Sequence, residues 1–211
     1  MCSTNNSLVD TDRIKIRYVI DSILNKDIAI WDSHPGLDEG VMGWVDLTGH
    51  QNIQKIYSEW DSLYSSLSEY THIVFIGFGG SILGGQLLNS VMSPKPDIKI
   101  CYLDTINPEE MKEVKNFIRM PTTLFIVASK SGTTLETRYL ERFFFKYLNS
   151  RVSHSETGNK FFAITDPDSD LDHLADIMRY KKVIYGDPSV GGRFSALTAF
   201  GLFPTYLMGT K

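Results

Sequence analysis

The apolar positions of the chain change period near His72. Before it they recur every three or four residues, the spacing of a helix with one buried face. Ile14, Ile16, Val19, Ile20, Ile23 and Leu24 predict a first helix that Asp12 is placed to cap. Ile53, Ile56, Tyr57, Trp60, Leu63, Tyr64 and Leu67 predict a second, from about Asn52 to Tyr70, with its aromatic residues used for packing. Between the two, Trp31 to Thr48 reads as irregular, with Gly43-Trp44-Val45-Asp46-Leu47 as a short extended piece; Met1 to Asn6 reads as frayed.

From His72 onward short apolar runs alternate with helical patterns. Strands are expected at Ile73–Ile76, Ile98–Leu103, Leu124–Ala128, Lys160–Thr165 and Val183–Tyr185. The helices between them run to about Met92, open at Asn107-Pro108-Glu109-Glu110, extend to about Asn149, and pass through Leu174 and Ile177. Asn107 is a capping residue followed by proline in the first turn and two acids against the helix dipole. Thr133 and Glu136 fit a capping box for the third helix, Asp168 or Asp170 suits the start of the fourth, and Arg151 to Asn159 reads as a polar surface loop. Largely apolar strands joined by helices mean a parallel sheet covered on both faces, hence an α/β three-layer α-β-α sandwich with a five-stranded parallel sheet, preceded by a helical N-terminal segment. The ligand of such a sheet sits beyond the C-terminal ends of its strands.

Composition changes this picture little. The 211 residues suffice for one substantial domain, and 42% hydrophobic with 22% charged residues is ordinary for a globular chain. A net charge of −4 argues against nucleic acid or an anionic membrane as partner. The two cysteines, Cys2 and Cys101, have no metal-ligand spacing, and the five histidines form no close pair. Met1 to Asp12 lacks the apolar core of a signal peptide, and no run approaches the ~20 apolar residues of a membrane span. A reduced, soluble, cytoplasmic protein is expected.

Three loops that follow strand ends carry the candidate chemistry. Gly77-Phe78-Gly79-Gly80-Ser81 leads into a helix with Gly84-Gly85; Ile82 breaks the dinucleotide fingerprint, and no lysine follows to make a P-loop. Its glycines serve either the approach of an anion to backbone amides or close packing. Ser129-Lys130-Ser131-Gly132-Thr133-Thr134 supplies hydroxyls, a positive charge and a helix start, the chemistry of a phosphate cradle or of an ordinary capped helix. Gly191-Gly192-Arg193-Phe194-Ser195 brings an arginine either to a substrate oxygen or to a surface ion pair, followed by a helix of Ala196, Leu197, Ala199 and Leu202.

Gly-x-Gly-Gly-Ser-x-x-Gly, Ser-Lys-Ser-Gly-Thr-Thr-x-Glu-Thr and Gly-Gly-Arg-Phe-Ser, in this order, resemble the glucose-6-phosphate isomerase (phosphoglucose isomerase) family. The middle motif alone is shared with the wider sugar isomerase (SIS) fold; Gly43-Trp44-Val45-Asp46-Leu47 is similar to bacterial members. The resemblance runs from about Trp44 to the end. It implies that Ser129, Lys130, Ser131 and Thr134 hold a phosphate, that Gly132 and Thr133 line the loop, and that Gly80 and Ser81 touch the sugar. Arg193 would stabilise developing negative charge. The implied reaction exchanges glucose 6-phosphate and fructose 6-phosphate through a cis-enediol, without metal or organic cofactor, in a homodimer when full length.

The family's enzymes are about twice this length or more. Their glutamate base, ring-opening histidine and C-terminal lysine come from beyond the Gly-Gly-Arg motif, and Phe194 to Lys211 holds neither an acid nor a histidine. The expectation is an N-terminal portion with the phosphate clamp and without the base. It divides into a helical segment (1–70), an SIS phosphosugar-binding subdomain (71–190) and the start of a connecting region (191–211). Ser195 to Met208, strongly apolar with Pro204 as a break, would then be an exposed patch. The alternative is a non-catalytic SIS module that senses a phosphosugar; a nucleotide-binding domain is disfavoured by Ile82.

Overall fold

A computed structural model describes residues 6–31, 42–47, 50–92 and 97–208. The expectations for residues 1–5, and most of the irregular stretch after Trp31, lie outside the described residues. The helices are α1 (Asn6–Leu24), α2 (His50–Asp61), α3 (Tyr64–Leu67), α4 (Gly80–Val91), α5 (Pro108–Phe117), α6 (Leu135–Asn149), α7 (His154–Gly158), α8 (Asp170–Met178) and α9 (Ala199–Leu207). The strands are β1 (His72–Gly77), β2 (Lys99–Leu103), β3 (Thr123–Ala128), β4 (Phe161–Thr165) and β5 (Lys182–Tyr185). They form one parallel sheet in the order β2-β1-β3-β4-β5.

Each central strand is apolar on both faces, so alternate residues feed two separate cores. Ile73, Phe75, Leu124, Ile126, Phe162 and Ile164 pack under Trp60 of α2, Ile82 of α4 and Phe200 and Phe203 of α9. Val74, Ile76, Phe125, Val127, Phe161 and Ala163 pack under Met111 and Val114 of α5, Leu140 and Phe144 of α6 and Leu171 of α8. The three-layer sandwich expected from the strand pattern is therefore present.

Several local expectations are corrected. Helix α1 already begins at Asn6, so Asp12 lies within it and does not cap it. The second helix stops at Asp61, and a separate short α3 follows. Gly43–Asp46 is a 3-10 turn, not an extended piece. Arg151 to Asn159 contains α7, with a capping box in which the Ser153 side chain accepts from Glu156 N–H and the Glu156 side chain accepts from Ser153 N–H. Helix α8 is capped by Ser169, which accepts from Asp172 N–H at 3.2 Å, and by neither neighbouring aspartate. After Gly191 the chain makes a 3-10 turn (Gly192–Leu197) before α9, which continues through Pro204. The tail is not an exposed patch: Ala199 to Met208 is buried throughout, against α2 and α4. Asn107 does cap α5, accepting from Glu109 N–H at 3.0 Å.

The apolar layer over α6 encloses one carboxylate. Glu141 is 3% exposed and accepts a 2.7 Å hydrogen bond from the Tyr180 hydroxyl. Burial, only partly offset by that bond, raises its pKa above the ordinary 4.5. The folded protein thus holds this proton more tightly than the unfolded chain. Its contribution to stability falls as pH rises from below 4.5 through the folded-state value. Glu141→Gln keeps a neutral acceptor for Tyr180 and should remove that fall. Urea midpoints measured at pH 4 and pH 7 should differ less in the variant than in the parent, with the variant gaining at pH 7.

Candidate functional site

In the order β2-β1-β3-β4-β5 the chain leaves β1 for one neighbour and returns on its other side as β3. The crevice between β1 and β3, beyond their C-terminal ends, is the switch point where open α/β sheets bind ligands. Two of the three candidate loops start there. Gly77 and Ala128, the last residues of β1 and β3, are register partners, so Phe78–Ser81 and Ser129–Thr134 leave the sheet side by side. They are joined by a hydrogen bond from Lys130 N–H to Ser81 Oγ, 3.3 Å long.

The second loop is a compact turn. Gly132 N–H donates to Ser129 C=O at 3.2 Å, and Gly132 has φ 73°. A Cβ there would sit 2.5 Å from Leu171 N, so only glycine lets the turn press against the start of α8. The hydroxyls bond to one another: Ser129 Oγ donates to Thr134 Oγ1 at 3.2 Å, and Ser131 Oγ and Thr133 Oγ1 are 2.9 Å apart. Thr133 therefore does not form the expected capping box; Thr134 is the residue at the helix start, and its side chain caps no N–H. The first-turn amides of α6 are left facing the loop with the positive end of the helix dipole. Ser131 and Thr133 are exposed, Thr134 is half-buried, and Ser129 is buried.

The third loop closes on the first. Ser195 Oγ donates to Gly80 C=O at 2.9 Å and to Gly192 C=O at 2.7 Å. A Cβ on Gly80 would lie 2.1 Å from Gly192 O. The segment before α2 holds this loop from outside: Met42 bridges Val190, Gly43 N–H donates to Ser189 C=O at 2.7 Å, and Trp44 stacks on Phe194 with ring centroids 5.0 Å apart. Arg193 is exposed, its guanidinium 6.0 Å from the Phe194 ring. Gly80, Ser81, Ser129, Lys130, Ser131, Gly132, Thr133 and Thr134 are thus brought to one end of the sheet, and Arg193 stands on the loop that abuts Gly80.

Three residues that the sequence pattern did not single out hold this assembly. Thr165, the last residue of β4, donates to Ser129 C=O at 2.7 Å and bonds Ser169 Oγ at 2.6 Å. Asp166 pairs with the Lys130 ammonium at 2.5 Å, and Asp187 C=O accepts from the same ammonium at 2.8 Å. Their only signal in the sequence is position: a hydroxyl that ends β4 and two acids just past the ends of β4 and β5.

A cavity of about 520 Å³ lies along the β5 edge, lined by Trp60, Leu63, Ile184 and Ala199, and reaches the Gly186–Pro188 turn that leads into the third loop. Among the described residues no cluster of His, Cys, Asp or Glu could hold a metal, and no helix is long and apolar enough to cross a membrane.

Comparison with known proteins places this architecture. The family described as phosphoglucose isomerase matches residues 48–210. Glucose-6-phosphate isomerase of Chlamydia trachomatis serovar L2 is 34% identical over 182 residues, which is 81% of this chain and 34% of the relative. That of Methanocaldococcus jannaschii is 33% identical over 82% of this chain and 40% of its own length. Among solved structures, a hypothetical protein from Thermus thermophilus superposes with a TM-score of 0.73 at 26% identity, over 93% of this chain and 45% of that one. A glucose-6-phosphate isomerase from Chlamydia trachomatis does so with 0.61 at 29% identity, over 85% and 33%. The chain therefore spans about a third to two fifths of the curated relatives it matches.

Proposed function

Because the chain belongs to the phosphoglucose isomerase family, we propose that its three convergent loops are the phosphosugar-binding face of a glucose-6-phosphate isomerase. The observation that carries this reading is the join between loops: Ser81 meets the Lys130 amide and Ser195 meets Gly80, at the sheet's switch point.

In this reading the phosphate lies on the Ser129–Thr134 turn. Ser131, Thr133 and Thr134 turn their hydroxyls to its oxygens, and the backbone amides of the turn and of the first turn of α6 face it with the dipole's positive end. Gly132 keeps the turn tight enough for this approach. The sugar extends from there toward Gly80 and Ser81. Arg193 stands beyond them and stabilises the oxyanion that develops when a proton moves between C2 and C1 through a cis-enediolate. This chain supplies binding and charge stabilisation; the proton-transferring base comes from elsewhere in the enzyme, and turnover by these residues alone is negligible. The assembled enzyme would be a homodimer working in glycolysis and gluconeogenesis in the cytoplasm.

A six-carbon aldonate phosphate imitates the planar intermediate and tests the reading by calorimetric titration. It should bind, while the unphosphorylated aldonate should not. Ser131→Ala combined with Thr134→Val should weaken it about tenfold or more for each lost hydroxyl, since a hydrogen bond to a charged group is worth about 1.5 kcal/mol or more. Equal affinity for both aldonates would remove the phosphate from this loop.

A further inference from the structure

The positive charge of Lys130 is the obvious partner for a phosphate, yet its surroundings suit a different role. We infer that the Lys130 ammonium is an internal brace that positions the Gly-Gly-Arg loop, with Asp166 and Asp187 as its anchors. The inference rests on the reading of Ser129–Thr134 as the anion site and changes what one residue does within it.

Lys130 follows the end of β3, Asp166 the end of β4, and Asp187 the end of β5. The ammonium reaches sideways across the sheet ends to the Asp166 carboxylate at 2.5 Å and to Asp187 C=O at 2.8 Å. Two of its three donors are thereby used. The ion pair is half-buried, with the lysine side chain 16% and the aspartate side chain 20% exposed. The second oxygen of Asp166 is buried without a partner among the described residues, and a Cβ on Gly186 would come within 2.7 Å of it. Moving the ammonium out to a ligand would leave this half-buried carboxylate uncompensated, which is the costly way to break such a pair.

The backbone supports the same assignment. While the side chain points along the sheet ends, Lys130 N–H faces Ser81 Oγ and Lys130 C=O accepts from Asp166 N–H at 3.2 Å. Asp187 opens the turn that carries the third loop: its C=O also accepts from Val190 N–H at 3.0 Å, and its carboxylate accepts from Ser189 N–H and Ser189 Oγ at 2.9 and 2.6 Å. A pull on Asp187 therefore sets where Gly191, Gly192 and Arg193 stand relative to the phosphate turn. The Lys130 amide joins the first two loops through Ser81, and its charge fixes the distance between phosphate and arginine.

Lys130→Met, Asp166→Asn and the double variant of the whole chain test this in two ways. The first readout needs no ligand: amide hydrogen exchange at Val190 and Phe194 should speed up in both single variants and no further in the double, with Ile126 and Phe162 unchanged. Unchanged exchange at Val190 and Phe194 would overturn the brace. The second readout compares inorganic phosphate with the six-carbon aldonate phosphate. Phosphate affinity should stay within about twofold in each variant, while the aldonate phosphate should lose about tenfold or more in each single variant and no more in the double. Loss of phosphate affinity in Lys130→Met with none in Asp166→Asn would make the ammonium a phosphate ligand and overturn the inference. A parent chain that binds neither probe would overturn the site reading instead, and the exchange readout would still decide the brace.

Discussion

Gly80→Val should separate the first loop from the third and abolish measurable binding of a hexose phosphate. The substituted Cβ would stand 2.1 Å from Gly192 O, 2.7 Å from its carbonyl carbon and 3.3 Å from Arg193 N. All three obstacles are backbone, so no side chain can rotate away. The loops must move apart, and the Ser195 hydroxyl, which bridges Gly80 C=O and Gly192 C=O, loses one acceptor. Overpacking of this kind costs about 1–3 kcal/mol. Stability should fall by that amount in urea, while affinity for the aldonate phosphate falls about a hundredfold or more, because Arg193 moves with the third loop. A variant with parental affinity would show that the junction does not belong to the binding face.

Phe203→Ala should cost about 3–5 kcal/mol of folding stability, the range for removing a fully buried aromatic ring. Phe203 has no exposed surface. Its ring meets Trp60 edge-on at 5.0 Å and lies near Tyr206 at 6.2 Å and Phe162 at 6.4 Å. It thus ties α9 to α2 and to the sheet, and α9 in turn packs on α4, whose first residues are Gly80 and Ser81. The urea midpoint reads the effect. Phe194→Ala serves as the comparison: that ring is 44% exposed, and its loss should cost far less. Equal losses would mean that α9 is not part of the core.

These two variants also mark what the sequence could and could not convey. The five strands were legible because a strand covered on both faces has to be apolar at every position, as Thr123–Ala128 nearly is. Their order was not legible, since β3 returns beside β1 through contacts distant in sequence. For the same reason the tail from Ala199 read as a loose apolar patch: its cover, Trp60 and α4, lies more than a hundred residues earlier. The caps of α6 and α8 were misplaced by one residue where serine, threonine and aspartate crowd together, and α1 begins well before the expected Asp12. Ser169 and the aspartates beside it are equally able to cap α8, and only the Thr165 hydroxyl, at 2.6 Å from Ser169 Oγ, shows how that loop is tied. At the site, the residue types of the three loops fitted anion chemistry and equally a capped helix, close packing or a surface ion pair, and only their joining in the fold brings them together. The direction of a flexible lysine was not, because the partner that turns Lys130 sideways is Asp166, thirty-six positions away.

A hexose phosphate that binds across the ends of β1 and β3, where the three loops join, should perturb the backbone of all three. The deciding measurement follows the backbone amide resonances of the chain as the six-carbon aldonate phosphate is added. Saturable shifts are expected at Ser129–Thr134, Gly79–Ser81 and Gly191–Arg193, with the resonances along the β5 edge at Lys182–Ile184 unmoved. Shifts that concentrate in the cavity beside Trp60, Leu63 and Ile184, or that spare the Ser129–Thr134 turn, would rule out binding at the joined loops.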